Sequence, residues 1–339
     1  MAAALESLRP ESHRGDTVAA GVVALTTAIL LLEVRFDNAW GSGIHLVITG
    51  LALAAVAVMA VTAPLEGERP RAYQSVLYVA AFVLALAFLA NLADVLGAND
   101  GLSSSGTLVW VGLLLGTFAA WFAVQRNSAI MTLLAAVTYG VVVLSFVDWV
   151  FDPKGVTTFR WILLLLIGGY ALASLSQRGQ RPRHGVQLVN AAGLAAIALS
   201  LTFLFERLFG AIAGAFGGDA FADNGAGTGW ELVLLACGFG LVAYGSVDRE
   251  AGPAYLGVAI LLLFAWIAGV PGRDGASLIG WPILLLIGAG ALLVAGLRPS
   301  RPLPPSPDAG APPPPPPTPL ADPPTQPLGN DDTTEIRHP

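Results

Sequence analysis

Lysine is almost missing from this chain: Lys154 stands alone against 16 arginines. Charge of either sign is scarce, at 12% of 339 residues, about half the share of an ordinary soluble domain. A water-soluble fold of this length could not cover itself with so little polar surface. Cysteine occurs once, as Cys237 in an apolar run, which excludes an intramolecular disulfide and a paired-cysteine metal site. The four histidines, His13, His45, His184 and His338, include only one placed within an apolar stretch, so paired axial haem ligands are absent. No GxSxG, HExxH or P-loop pattern occurs. The basic residues are scattered and the formal net charge is −6, which argues against nucleic acid as a partner. Neither a cofactor nor a metal is expected.

What is there is apolar. Hydrophobic residues make up 55% of the chain and its mean hydropathy is +0.69. Stretches long enough to cross ~30 Å of hydrocarbon recur ten times, near 17–36, 43–63, 72–96, 105–124, 128–151, 157–176, 185–205, 229–247, 252–270 and 277–297. Helix is the economical conformation there, because every backbone N–H and C=O must be satisfied away from water. The first run follows Arg9 and Arg14 as a signal peptide would, but continues without a small-x-small pair and reads as an anchor. Pro70, Pro182 and Pro253 fall at helix ends, where a missing N–H costs little. The expected fold is an all-α, polytopic transmembrane helical bundle of about ten spans.

Arginine and tryptophan orient it. With a cytoplasmic N-terminus, only Arg35, Lys154, Arg160, Arg207 and Arg273 fall on the outer side, and the other twelve basic residues fall inside. Trp40, Trp110, Trp149, Trp161, Trp230, Trp266 and Trp281 lie near outer span ends, where indole joins the headgroup layer, and Trp121 lies near an inner end. Ten spans then place both termini in the cytoplasm. The Arg, Ala, Gly and Pro richness is that of high-GC bacterial coding, so the expected location is a bacterial cytoplasmic (inner) membrane.

The chain also repeats itself. "WILLLLIGGYALASLSQR" (161–178) and "WPILLLIGAGALLVAGLR" (281–298) align at an offset of 120 residues, and Trp110 and Trp230 share that offset. This suggests tandem four-helix units at 72–178 and 191–298, with the first helix pair as an addition. An even number of helices per unit gives both copies one orientation, related by an axis along the membrane normal. Flanking the membrane domain 17–298 are an N-terminal cytoplasmic segment, 1–16, and a tail, 299–339. The tail holds 16 of the 24 prolines. It has almost no large apolar residues and is expected to be a disordered, Pro-rich cytoplasmic extension with polyproline II character over 312–317.

Ionisable groups avoid the span centres, which disfavours carboxylate-coupled transport. They collect at the outer ends instead. Asp94, Asp148, Asp152, Glu206, Glu231 and His45 form a candidate outer polar rim. Most of its acids are expected to be solvated, with His45 an interfacial side chain whose hydrogen bonds are satisfied. Asp148 and Asp152 share a helix face at i and i+4, a weak metal signal without nearby histidines. The stretch 207–229 reads as a long Gly-rich loop, and "GLLLG" at 112–116 as a close helix contact. In the tail, Thr333 and Thr334 follow two aspartates, and Ile336 lies three residues after Thr333. Phosphorylation there would create a ligand for an arginine-lined phosphothreonine-binding domain. The partners expected are therefore the lipid bilayer and cytoplasmic proteins that bind the Pro-rich or phosphorylated tail. The preferred function is a non-enzymatic scaffold or accessory of the cell envelope. A transporter or lipid flippase is the first alternative, and a membrane-embedded transferase using outer carboxylates the second.

Overall fold

The computed structural model describes residues 15–36, 39–63, 72–98, 102–215, 226–269, 283–288 and 290, with backbone alone at 210–215 and 269. The N-terminal segment up to residue 14, most of the tenth expected span and the tail 299–339 lie outside the described residues.

Among the described residues nine long helices follow one another: α1 (Gly15–Phe36), α2 (Ser42–Thr62), α3 (Ala72–Val95), α4 (Ser105–Gln125), α5 (Ala129–Phe151), α6 (Thr157–Gln177), α7 (Pro182–Ala215), α8 (Thr228–Asp248) and α9 (Ala251–Gly269). Among the described residues there is no strand. Each of the nine is long and apolar enough to cross a bilayer. The protein is an all-α, multi-pass membrane bundle. Residues 283–288, inside the tenth expected span, are also helical.

Local chemistry explains how polar residues survive inside apolar helices. Thr27, Thr49, Thr62, Thr117 and Thr138 each donate their hydroxyl to the carbonyl four residues earlier, at 2.7–2.8 Å. A hydroxyl satisfied within its own helix can sit in hydrocarbon. Three helix ends are closed by a side chain or by a left-handed residue. Ser104 Oγ accepts from the Thr107 N–H at 3.2 Å at the start of α4. Asp152 (φ 43°) and Arg249 (φ 56°) terminate α5 and α8 in the left-handed region.

One boundary differs from the sequence reading. The helix expected to end near 205 continues as α7 to Ala215, taking in the first part of the expected Gly-rich loop. Glu206 and Arg207 do not end it and are held by neighbouring helices. Arg160 donates to Glu206, and Arg207 Nη1 donates to the backbone carbonyls of Ile267 and, at 3.3 Å, Trp266.

Helix order shows a regularity. α2 packs along α3 and α6 along α7; α4 packs along α5 and α8 along α9; α1 touches α3 as α5 touches α7. A shift of four helices carries the first set of pairings onto the second. Glycine permits the closest approaches. A Cβ on Gly112 would lie 2.5 Å from Val142 Cγ2, and one on Gly257 would lie 2.6 Å from the Gly238 carbonyl oxygen. At mid-span, Leu84, Leu115, Leu199 and Ile260 are buried in apolar clusters.

Candidate functional site

Polar chemistry concentrates where α1, α3, α5, α7 and α9 end and α2, α4, α6 and α8 begin, the tryptophan end of the bundle. It is divided among junctions between particular helices.

The first junction joins α1, α2 and α3. Glu33, in the last turn of α1, accepts from Asn91 Nδ2 of α3 at 2.6 Å through its Oε1. The same oxygen lies 3.8 Å from Nδ1 of His45, in the first turn of α2. Asp94 is close enough to repel the Glu33 charge. The Trp40 ring lies 5.7 Å from the His45 ring and stacks on Phe36 at 4.4 Å. His45 is only 7% exposed, and among the described residues its buried Nε2 has no hydrogen-bond partner. This corrects the expectation that His45 is satisfied. Its side chain is enclosed by three helix ends that supply one carboxylate oxygen, on the Nδ1 side.

The second junction joins α4 and α5, where the Ser105 hydroxyl donates to Asp148 Oδ2. The third joins α6 and α7 around Arg160, which is 9% exposed. Its Nη2 donates to Glu206 Oε2, its Nε donates to Thr202 Oγ1 at 3.1 Å, and its guanidinium lies 3.8 Å from the centre of the Phe203 ring. Trp230 of α8 closes the aromatic side, 5.7 Å from Phe203 and 5.0 Å from Trp161. Burying a guanidinium requires this degree of pairing, since removal from water costs several kcal/mol per ion.

The six expected rim residues therefore separate. Asp94 and His45 meet in the first junction through Glu33. Asp148 belongs to the second junction and Glu206 to the third. Asp152 is exposed and caps α5, and Glu231 is partly buried in the first turn of α8. Of the six, Asp152 is exposed, His45 is buried and the other four are partly buried. Among the described residues no group of three His, Cys, Asp or Glu could hold a metal ion. Glu33, Asn91, Arg160 and Thr202 were missing from the expected rim. Opposite charges at equal depth on consecutive helices, as in Arg160 and Glu206, were the available signal.

The opposite, arginine end is held by a second set of contacts. His184, buried at the start of α7, faces Asn127 Oδ1 with Nε2 at 2.9 Å and the Thr132 hydroxyl with Nδ1. Arg126 donates to the Val61 carbonyl near the end of α2. Arg178 donates to Asp248 at 3.0 Å and lies 5.0 Å from the Tyr244 ring centre. Hydrogen bonding to Tyr244, and then the Asp248 charge, push the Arg178 pKa upward. These contacts tie helix ends together. Between α1 and α3, an apolar groove of about 330 Å³ is lined by residues including Val23, Thr26, Val79 and Val83.

The chain matches no protein-family model, no curated protein and no solved structure.

Proposed function

We propose that this integral membrane protein is a non-enzymatic scaffold of a bacterial cell envelope, anchored in the cytoplasmic membrane and acting through its Pro-rich cytoplasmic tail. The observation that supports this reading is the filling of the bundle at mid-span. Leu84, Leu115, Leu199 and Ile260 are buried there among other apolar side chains, and the carboxylate, guanidinium and imidazole groups of the described helices stand near the span ends. A coupled transporter uses ionisable groups or exposed backbone at mid-membrane to bind its ions. A scaffold needs only a stable anchor and an accessible tail.

The tail carries the specificity in this reading. This reading needs a spacer before the acidic end, and six consecutive prolines at 312–317 are a sequence that favours polyproline II, about 3 Å per residue. A phosphate on Thr333 or Thr334 adds close to two negative charges and three strong acceptors. Ile336 supplies an apolar contact beside it. Mass spectrometry of the tail from native membranes tests this, paired with pull-downs by the full chain and by Thr333→Ala/Thr334→Ala. The expected result is phosphate at one of these threonines and loss of a defined set of cytoplasmic partners from the variant. An unphosphorylated tail with an unchanged partner set would remove the reading.

A further inference from the structure

His45 and Arg160 occupy the same rank in corresponding helices. Each is the fourth residue of its helix, α2 from Ser42 and α6 from Thr157, and each is buried. α2 packs along α3 as α6 packs along α7. At the α6–α7 junction a buried cation, Arg160, meets Glu206. At the α2–α3 junction the corresponding residue is an imidazole, and the nearby carboxylate comes from Glu33 of α1.

The first junction is therefore incomplete in a defined way. Glu33 has Asn91 and His45 as its partners, both on Oε1, and among the described residues its Oε2 has no donor. The Glu33 side chain is 21% exposed, so an external group can reach it, whereas the His45 side chain is 8% exposed. A His45 tautomer with Nδ1–H towards Glu33 leaves the buried, unpartnered Nε2 as an acceptor. Trp40, stacked on Phe36, adds an aromatic face beside the same ring. A reachable carboxylate oxygen beside an aromatic face suits a cation that carries N–H donors.

We infer that Glu33, His45 and Trp40 form a binding site for a primary ammonium group, which supplies the positive charge that Arg160 supplies at the second junction. The ammonium donates to Glu33 Oε2 and lies against the indole. His45, whose Nδ1 lies 3.8 Å from the other Glu33 oxygen, senses its charge. Two sources carry this group, the headgroup of an aminophospholipid and a free amine.

The test uses the full chain in nanodiscs of phosphatidylglycerol alone, with isotope-labelled histidine observed by NMR and His45 assigned through His45→Gln. One arm titrates free ethanolamine, and the other adds phosphatidylethanolamine to the nanodisc. A saturable movement of the His45 signal in either arm is expected, and the arm that produces it identifies the source. Glu33→Gln should raise the half-saturation concentration about tenfold or more, as loss of a charged hydrogen bond requires. Glu206→Gln should leave it unchanged. Should Glu33→Gln fail to fold, Glu33→Asp keeps the charge but withdraws it by one methylene, and a weakened response there is expected. A stationary His45 signal in both arms, or an equal response in the folded Glu33 variant, overturns the site.

Discussion

Arg160 donates to Glu206 across the α6–α7 contact, and both side chains are largely withdrawn from solvent, at 11% and 22% exposure. Loss of either partner leaves the other as an uncompensated charge in a low-dielectric junction. Arg160→Leu or Glu206→Leu should each destabilise the bundle by on the order of 3 kcal/mol. The double change to leucine should recover most of that loss. Thermal unfolding in one detergent checks this, and a double variant as unstable as the sum of the singles would contradict it.

Glycine contacts give a second prediction. A side chain on Gly257 would strike the Gly238 carbonyl, part of a helix backbone that cannot step aside as a side chain can. Gly257→Ala should cost about 1–3 kcal/mol as α8 and α9 separate. Gly168→Ala on α6, where nothing lies within 4 Å of the added Cβ, should be neutral or stabilising by up to about 1 kcal/mol. Equal unfolding temperatures for the two variants would remove the packing argument.

Orientation is open to direct measurement. Reporter fusions after Arg126, Arg183 and Arg301 are expected to read cytoplasmic, and fusions near Asp100 and Asp219 external. An external signal at Arg183 would invert the assignment, because Arg178, Arg181 and Arg183 form its densest basic cluster.

The recurrence of helix pairings leads to a fourth prediction. We propose that the chain arose by tandem duplication of a four-helix unit. The pairings place the first copy's start at α1, earlier than the 72–178 and 191–298 frame that tryptophan spacing suggests. In an experimental structure, α1–α4 should superpose on α5–α8 by rotation about an axis along the membrane normal. Only partial agreement, limited to single helix pairs, would reduce the 120-residue offset to chance similarity between leucine-rich helices.

Residue composition by itself determined that this is a helical membrane bundle, and roughly where each span begins. That follows because the relevant energies belong to single residues. A peptide group in hydrocarbon must close its own hydrogen bonds, a charge is cheapest at the interface, and an indole prefers the headgroup layer. Thus Arg126 and Arg178 could be set at one end, and Trp149 and Trp230 at the other, before any contact was known. The pairings were decided only by tertiary structure. Glu33 reaches Asn91 across 58 positions of chain and Arg160 reaches Glu206 across 46, and neither separation is written in local periodicity. The extension of α7 past 205 has the same origin, since its polar residues are satisfied by α6 and α9. Whether His45 finds a partner depends on which atoms three helix ends bring to its ring, a relation among distant residues that no single position specifies.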